Sequence, residues 1–276
     1  MIKFSILIAN YNNGKYFKEC YDSLMNQTYG NWEVIIVDDA STDNSVEIIN
    51  SLIKDHSQFK FYHNSVNQGC GYTKRECMKY AEGDICAFLD PDDALYPEAL
   101  EATIHEFIHK KDIVATYSQM MLCNDNLIPE KVFEKTREIY NDRYFFNCPT
   151  QFAHFFAFKR EIYHKTSGIN ASLRSAVDQD LYLKILEHGN IRYIKEPLYL
   201  YRLHSNGISQ QDAKQNAKES FAKVIHETMK RRGIQKINNK IVPEIFTNSR
   251  EIYELLNYQT HKLHRLIKRI KVSLKM

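Results

Sequence analysis

The sequence contains no uninterrupted apolar run near the ~18 residues that a membrane-spanning helix needs, so any contact with a bilayer would be peripheral. Its six cysteines, at positions 20, 70, 77, 86, 123 and 148, form no Cys-x-x-Cys pair and no zinc-type spacing. That pattern favours reduced thiols in a cytosolic protein, and none of the six reads as a metal ligand. A formal net charge of +3 is too small to argue for a nucleic-acid partner. No internal repeat and no low-complexity tract interrupts the chain. The opening Met1 to Ala9 is mostly apolar, but Asn10-Tyr11-Asn12-Asn13-Gly14 breaks it too early for the apolar core and cleavage site of a signal peptide. It is expected to be the first strand.

What is present is enough to bury one large core, or one domain with a substantial appendage: 276 residues, 43% of them hydrophobic. The first third alternates apolar runs with helical periodicity. Strands are expected over Phe4 to Ala9, Glu33 to Val37, Phe59 to His63 and Asp84 to Leu89. Helices are expected over Lys15 to Asn26, Asn44 to Asp55 (capped by Ser41 or Thr42) and Tyr72 to Glu82. Such alternation predicts parallel strands with right-handed crossovers and a crevice at their carboxyl ends. Asp38, Asp39, Lys74, Asp90 and Asp92 would all face it.

The run Cys86-Ala87-Phe88-Leu89-Asp90-Pro91-Asp92-Asp93 is the most informative stretch. An apolar strand ends in three carboxylates, and hard divalent ions that also hold phosphates take one or two protein carboxylates. The competing reading is that Asp92 or Asp93 caps a helix beginning near Pro97, although one aspartate would suffice for that. Beyond it, a helix is expected over Pro97 to His109 and strands over Ile113 to Tyr117, Thr150 to Phe158 and Ile191 to Ile194, the last followed by Leu198 to His204. Leu122 to Asp142 reads as a loop or short hairpin, and Asp178 to His188 as a helix. After Ser205-Asn206-Gly207 the composition turns helical, from about Gln210 to Arg232 and from Pro243 onward.

Six strings recur in order over about residues 1 to 209: Ala9-Asn10-Tyr11-Asn12-Asn13, Val37-Asp38-Asp39-Ala40-Ser41-Thr42-Asp43-Asn44-Ser45, Asn67-x-Gly69, Phe88-Leu89-Asp90-Pro91-Asp92-Asp93, Asp178-x-Asp180-Leu181 and Tyr201-Arg202-x-His204. Together they resemble an inverting family 2 glycosyltransferase of the GT-A fold. That resemblance implies an α/β, Rossmann-like mixed sheet with mainly parallel N-terminal strands flanked by helices. It divides the chain into a GT-A domain over 1–209 (nucleotide-binding half 1–96, acceptor-binding half 97–209) and a helical C-terminal extension over 210–276. The implied donor is a sugar on a nucleoside diphosphate, usually UDP. Tyr11 would stack near the base, with the backbone of Ala9 beside it, and Asp39 would accept a hydrogen bond from the uracil ring while Asp38 braces the loop. Lys74 occupies the position of the family's phosphate-binding arginine, with Arg75 where asparagine is more usual, and the sequence leaves open which of the two meets the donor.

The resemblance further assigns Asp90 to the ribose and Asp92 to Mn2+ or Mg2+, with His204 a second metal or phosphate contact, Arg202 supporting the loop after it and Asp93 capping the following helix. The catalytic base comes from a Glu-Asp pair in the family. Here the pair reads Val177-Asp178, which makes Asp178 the base and Asp180 the runner-up. Thr150 to His154 and Asp180 are expected to line the acceptor pocket, and the acceptor would be a glycan or a lipid-linked glycan in cell-surface polysaccharide synthesis. Two other functions fit parts of the pattern: a non-catalytic nucleotide-sugar or glycan-binding protein, favoured by Val177 and the Lys74-Arg75 pair, and another metal-dependent nucleotide enzyme with Asp90 as nucleophile. Finally, Leu255, Leu256, Leu263, Leu266, Ile267, Ile270 and Leu274 recur near the helical period among Lys262, Arg265, Lys268, Arg269, Lys271 and Lys275. This stripe would either pack on the domain or on a second copy in a homodimer, or lie on an anionic cytoplasmic leaflet as a peripheral membrane contact.

Overall fold

The computed structural model describes residues 1–204 and 214–274; the turn Ser205-Asn206-Gly207, the expected boundary at 209/210, the helix start at Gln210 and Lys275 lie outside them. The first third follows the expected alternation. β1 (Phe4–Asn10) leads through a 3-10 turn at Gly14–Tyr16 into α1 (Phe17–Met25), then β2 (Trp32–Asp38), α2 (Ser45–Ile53), β3 (Phe59–His63), α3 (Cys70–Tyr80) and β4 (Ile85–Phe88). All of β1 and β2 except Ala9 is buried, as near-continuous apolar runs covered on both faces must be. β1 pairs in parallel with β2 and β4, and β2 with β3, so the carboxyl ends of these strands lie side by side, with Asn10 opposite Asp38.

The second half completes the sheet: β5 (Ala94–Leu95), α4 (Ala99–His109), β6 (Ile113–Cys123), β7 (Pro129–Val132), β8 (Phe156–Lys159), α5 (Arg160–Tyr163), α6 (Val177–Ile185) and β9 (Asn190–Arg202). Among the described residues the main sheet has nine strands in the order β3-β2-β1-β4-β8-β6-β9-β5, with β7 paired to β6. β8 runs antiparallel to both β4 and β6, while β6 and β9 are parallel, so the sheet is mixed. Alternate residues of the strands feed two apolar layers. Phe4, Ile6 and Ile8 meet α1, α2 and α4, whereas Leu7, Ile35 and Val37 meet α3 and α6.

Three expectations need correction here. The strand expected over Thr150 to Phe158 forms only from Phe156, because the Asn147 side chain takes the backbone amides of Gln151 and Phe152 that a ladder would use. The two pieces expected over 191–204 are one strand; its register against β6 shifts beside Pro197, where a missing N–H is tolerated. Neither Ser41 nor Thr42 caps α2, which starts after Asn44, because the Ser41 hydroxyl donates to Asp38 instead. The chain ends in α7 (Lys214–Arg231), a small hairpin of β10 (Lys236–Ile237) with β11 (Lys240–Ile241), α8 (Ser249–Leu256) and α9 (Lys262–Ser273). α7 and α8 enclose a third apolar cluster with Phe146, and Arg231 and Arg232 fasten α7 to Glu187 beyond α6.

Candidate active site

A cleft of about 690 Å3 opens where β1, β2 and β4 end, the size of a small-ligand site and the place where open α/β sheets bind ligands. Ala9, Tyr11, Asp39, Lys74, Asp90, Asp92, Asp178 and His204 all line it; Arg75 does not. Adjacent residues on a helix point about 100° apart, and α3 turns only the first of the adjacent cations Lys74 and Arg75 into the cleft. Arg75 faces the other way and donates to the carbonyl of Ile169. Of the two, Lys74 is the one that lines the cleft.

On one side of the cleft Tyr11 stands 44% exposed. Asp38 is buried and accepts from Asn10, from the amide and hydroxyl of Ser41, and faces His63, which is a loop-bracing role. Asp39 accepts from the Asn64 side chain and from the amides of Gln68 and Gly69, so its carboxylate also shapes the Asn67–Gly69 turn. Gly69 has φ +89°, and the Arg174 guanidinium lies so close across it that an added Cβ would fall 1.9 Å from Nη1. Arg174 thereby reaches Asn67 and the mouth of the cleft. No motif marks it; the one sequence signal is a cation four residues before Asp178.

At the centre, Lys74 is 3% exposed, with Nζ 2.8 Å from Asp178 Oδ1 and 3.2 Å from Asp90 Oδ1. Burial alone would favour the neutral amine, but the two carboxylates outweigh it and hold the ammonium well above its usual pKa. Burial would likewise raise the Asp90 carboxyl; Lys74, with His154 at 4.0 Å, overrides it and keeps Asp90 below its usual value. Asp178 sits in the first turn of α6 and remains 29% exposed towards the cleft. Asp180, the alternative base, does not. It is 1% exposed under α6, accepting from the Asn170 amide and from Lys184, so it holds the loop before the helix and does not line the cleft. Of the Thr150 to His154 stretch, His154 reaches the cleft.

The third side is the acidic turn. Asp93 caps no helix: it is buried, accepting from the Tyr199 hydroxyl and the Arg202 amide, and α4 begins only at Ala99. The residues after it pair as β5 with β9, which uses Asp93 to lock the two together. Burial, with Asp92 and Asp90 adding to it, pushes the Asp93 carboxyl well above the usual carboxylate range. That lock brings Arg202 under the turn, where its Nε donates to the Asp92 carbonyl and Nη1 to the Asp125 carbonyl, with Tyr16 against its face at 4.6 Å. His204 then places Nε2 2.8 Å from Asp92 Oδ2. Burial and the neighbouring Asp90 charge raise the Asp92 carboxyl, against the opposing effect of His204, so a cation there would relieve a real electrostatic penalty. His204 Nδ1 is buried with no partner among the described residues. No set of three or more His, Cys, Asp or Glu ligands forms among the described residues. A carboxylate and one imidazole fit a divalent ion whose remaining positions are filled by phosphate oxygens and water.

Against this geometry, the sequence model of the family described as Glycosyl transferase family 2 matches residues 5–167, more than half of the chain. The chain belongs to glycosyl transferase family 2. This family 2 chain is 31% identical over 238 residues to the hyaluronan synthase of Pasteurella multocida, a match covering 85% of the chain but 24% of that protein. It thus spans about a quarter of that relative's length. Among solved structures, S. aureus TarS 1-349 in complex with UDP-GlcNAc superposes with a TM-score of 0.67 at 20% identity, covering 92% of this chain and 70% of that one. The mannosyltransferase PcManGT from Pyrobaculum calidifontis, in complex with GDP-Man and Mn2+, gives a TM-score of 0.56 at 12% identity over 99% of this chain and 86% of that one. The fold of this family 2 chain is accordingly GT-A, with the mixed sheet and flanking helices described above. No helix among its described residues is long and apolar enough to cross a membrane.

Proposed function

We propose that the protein is a metal-dependent, inverting glycosyltransferase that moves a sugar from a nucleoside-diphosphate sugar, with UDP the favoured nucleotide, to a hydroxyl of a glycan or lipid-linked acceptor during polysaccharide synthesis. One observation carries the reading: a half-exposed carboxylate, Asp178, and the acidic turn of Asp90 and Asp92 share one cleft, joined through the buried Lys74 ammonium. Support for a nucleotide-sugar donor comes from the UDP-GlcNAc and GDP-Man complexes of the two structural neighbours, and for a polysaccharide product from the hyaluronan synthase.

In this mechanism Tyr11 covers the base, with the Ala9 backbone and Asp39 beside it, and Asp90 holds the ribose. Asp92 and His204 would hold Mn2+ or Mg2+, which when bound neutralises charge on the departing diphosphate. Asp178 accepts the proton of the acceptor hydroxyl as its oxygen bonds to the anomeric carbon and the bond from that carbon to the diphosphate breaks. The single displacement inverts the anomeric centre, and one base is sufficient. Lys74 holds the Asp178 carboxylate in place before the acceptor arrives, its Nζ donating to Oδ1 at 2.8 Å.

The test is UDP release from a panel of UDP-sugars with Mn2+, with and without glycan acceptors, followed by NMR assignment of the product's anomeric configuration. Acceptor-stimulated release with inversion is expected. Tight UDP-sugar binding without release for any donor would instead establish the non-catalytic binding protein.

A further inference from the structure

α9 is oriented against the usual logic of an amphipathic helix. Its apolar residues point outward: Leu263, Leu266, Ile267, Ile270 and, just after the helix, Leu274 are 70%, 53%, 44%, 50% and 81% exposed. Its polar side is the one that docks. Lys268 pairs with Asp142 and lies over the Tyr140 ring, Lys271 shares that ring, and His264 packs edge-on against Tyr258. A helix that needed only to complete the fold would bury its leucines and isoleucines. This one is fastened by its cations and presents its apolar stripe to whatever lies outside.

The charge distribution says what that is. Between Lys262 and Ser273 there are five cations, Lys262, Arg265, Lys268, Arg269 and Lys271, and no acid. At the helical repeat Lys271 flanks the stripe on one side, Lys262 and Arg269 on the other, the arrangement in which long cationic side chains reach headgroups while the stripe enters the acyl boundary. Arg265 and Arg269 also approach Arg137, whose Nε is buried without a partner among the described residues. Burial first, then those two arginines, depresses the Arg137 guanidinium below its usual range, a cationic cluster lacking an anion. At 12 residues α9 is far too short to span a bilayer, so it would lie in the interface.

We infer that α9 is a docking surface for an anionic lipid bilayer, its Leu263–Leu274 stripe inserting between headgroups whose phosphates are met by Lys262 and Arg269 at the edge of the stripe. A protein groove or a second copy would also cover an apolar stripe, but a partner copy would bring the same unbalanced cations to the contact. The loop that receives α9 is tied to the cleft side of the molecule, since the Arg137 amide donates to the Gln151 carbonyl, three residues from His154. The inference does not depend on the transfer reaction proposed above.

The experiment is vesicle flotation of the full chain with neutral phosphatidylcholine vesicles and with vesicles containing phosphatidylglycerol. Flotation is expected with the anionic vesicles only, weakening as salt shortens the Debye length. Lys262→Ser with Arg269→Ser should lower partitioning by roughly 20–30-fold, since each cation near the surface is worth about fivefold. Leu266→Ser with Ile270→Ser should abolish flotation while leaving the circular-dichroism melt unchanged, because both side chains are already exposed. Equal flotation on neutral vesicles, no flotation at all, or flotation indifferent to the stripe variant would overturn the inference. So would a dimer in sedimentation equilibrium that the stripe variant dissociates, which would make the face a contact between copies.

Discussion

Asp178 and Asp180 are two residues apart at the start of one helix, and replacing each by asparagine should lose a similar free energy from different quantities. In the mechanism proposed above, Asp178→Asn removes the general base, a contribution of about 10²–10⁴-fold in turnover, or about 3–5 kcal/mol of barrier. Its stability effect should stay within about 1 kcal/mol, because the carboxylate is 29% exposed and Lys74 retains Asp90 at 3.2 Å. Asp180→Asn leaves the Lys184 ammonium, 6% exposed, with the Gly168 carbonyl as its remaining hydrogen-bond partner. Breaking a buried ion pair from one side costs about 3–5 kcal/mol, which for a chain of this size lowers the melting temperature by roughly 10 °C. Turnover per folded molecule at low temperature should be nearly unchanged. The assay is UDP release under saturating donor and acceptor at 15 °C, paired with thermal melts of both variants. A reversed pattern, with Asp180→Asn catalytically dead and thermally intact, would move the base to Asp180; two catalytically mild variants would remove the general-base argument altogether.

Asp92→Asn should abolish metal-dependent UDP binding in calorimetry while the fold is retained, since the partly exposed turn carboxylate contributes little to the core; unchanged metal-dependent binding would sink its assignment as a ligand. Lys74→Met should weaken both stability, by about 3 kcal/mol, and transfer, because it strands Asp90 and Asp178 beside one another without their shared cation, and Lys74→Arg should restore much of each; native turnover in Lys74→Met would refute its positioning role. At the opposite end of the sheet, burial would raise Glu33, but Lys3, Ser5, the Glu82 amide and Lys60 lower it to about 2 from 4.5. A depressed folded-state value contributes stability that is fully present above the unfolded pKa of 4.5 and is lost as pH falls through about 2. The shift corresponds to roughly 3 kcal/mol, so Glu33→Gln should be destabilised by about that amount at pH 7 and converge with the parent in urea melts near pH 2, whereas a pH-independent difference would show that packing dominates.

What the sequence determined by itself is whatever depends on local periodicity and on the order of elements. The apolar runs of β1 and β2 could be buried only between two layers, the alternation with α1, α2 and α3 required parallel strands, and parallel strands put Asn10, Asp38 and Asp90 at a common edge. The cleft was therefore legible before any coordinate, as was its chemistry of carboxylates facing a cation. What only the tertiary structure decided is the rotation and partner of each element, which no spacing encodes. Lys74 and Arg75 are equivalent as letters, and the roll of α3 on the sheet sends one into the cleft and the other to Ile169. Asp178 and Asp180 are equally good as first-turn acids, and the seating of α6 exposes the first and buries the second against Lys184. Asp93 resembles a cap until β9, arriving more than a hundred residues later, supplies the Tyr199 hydroxyl and Arg202 amide that claim it. The stripe of α9 is visible in the sequence, but its outward direction is set by Asp142 and Tyr140, which hold the cationic side of the helix and leave the apolar side free because charge pairing is directional and apolar burial is not.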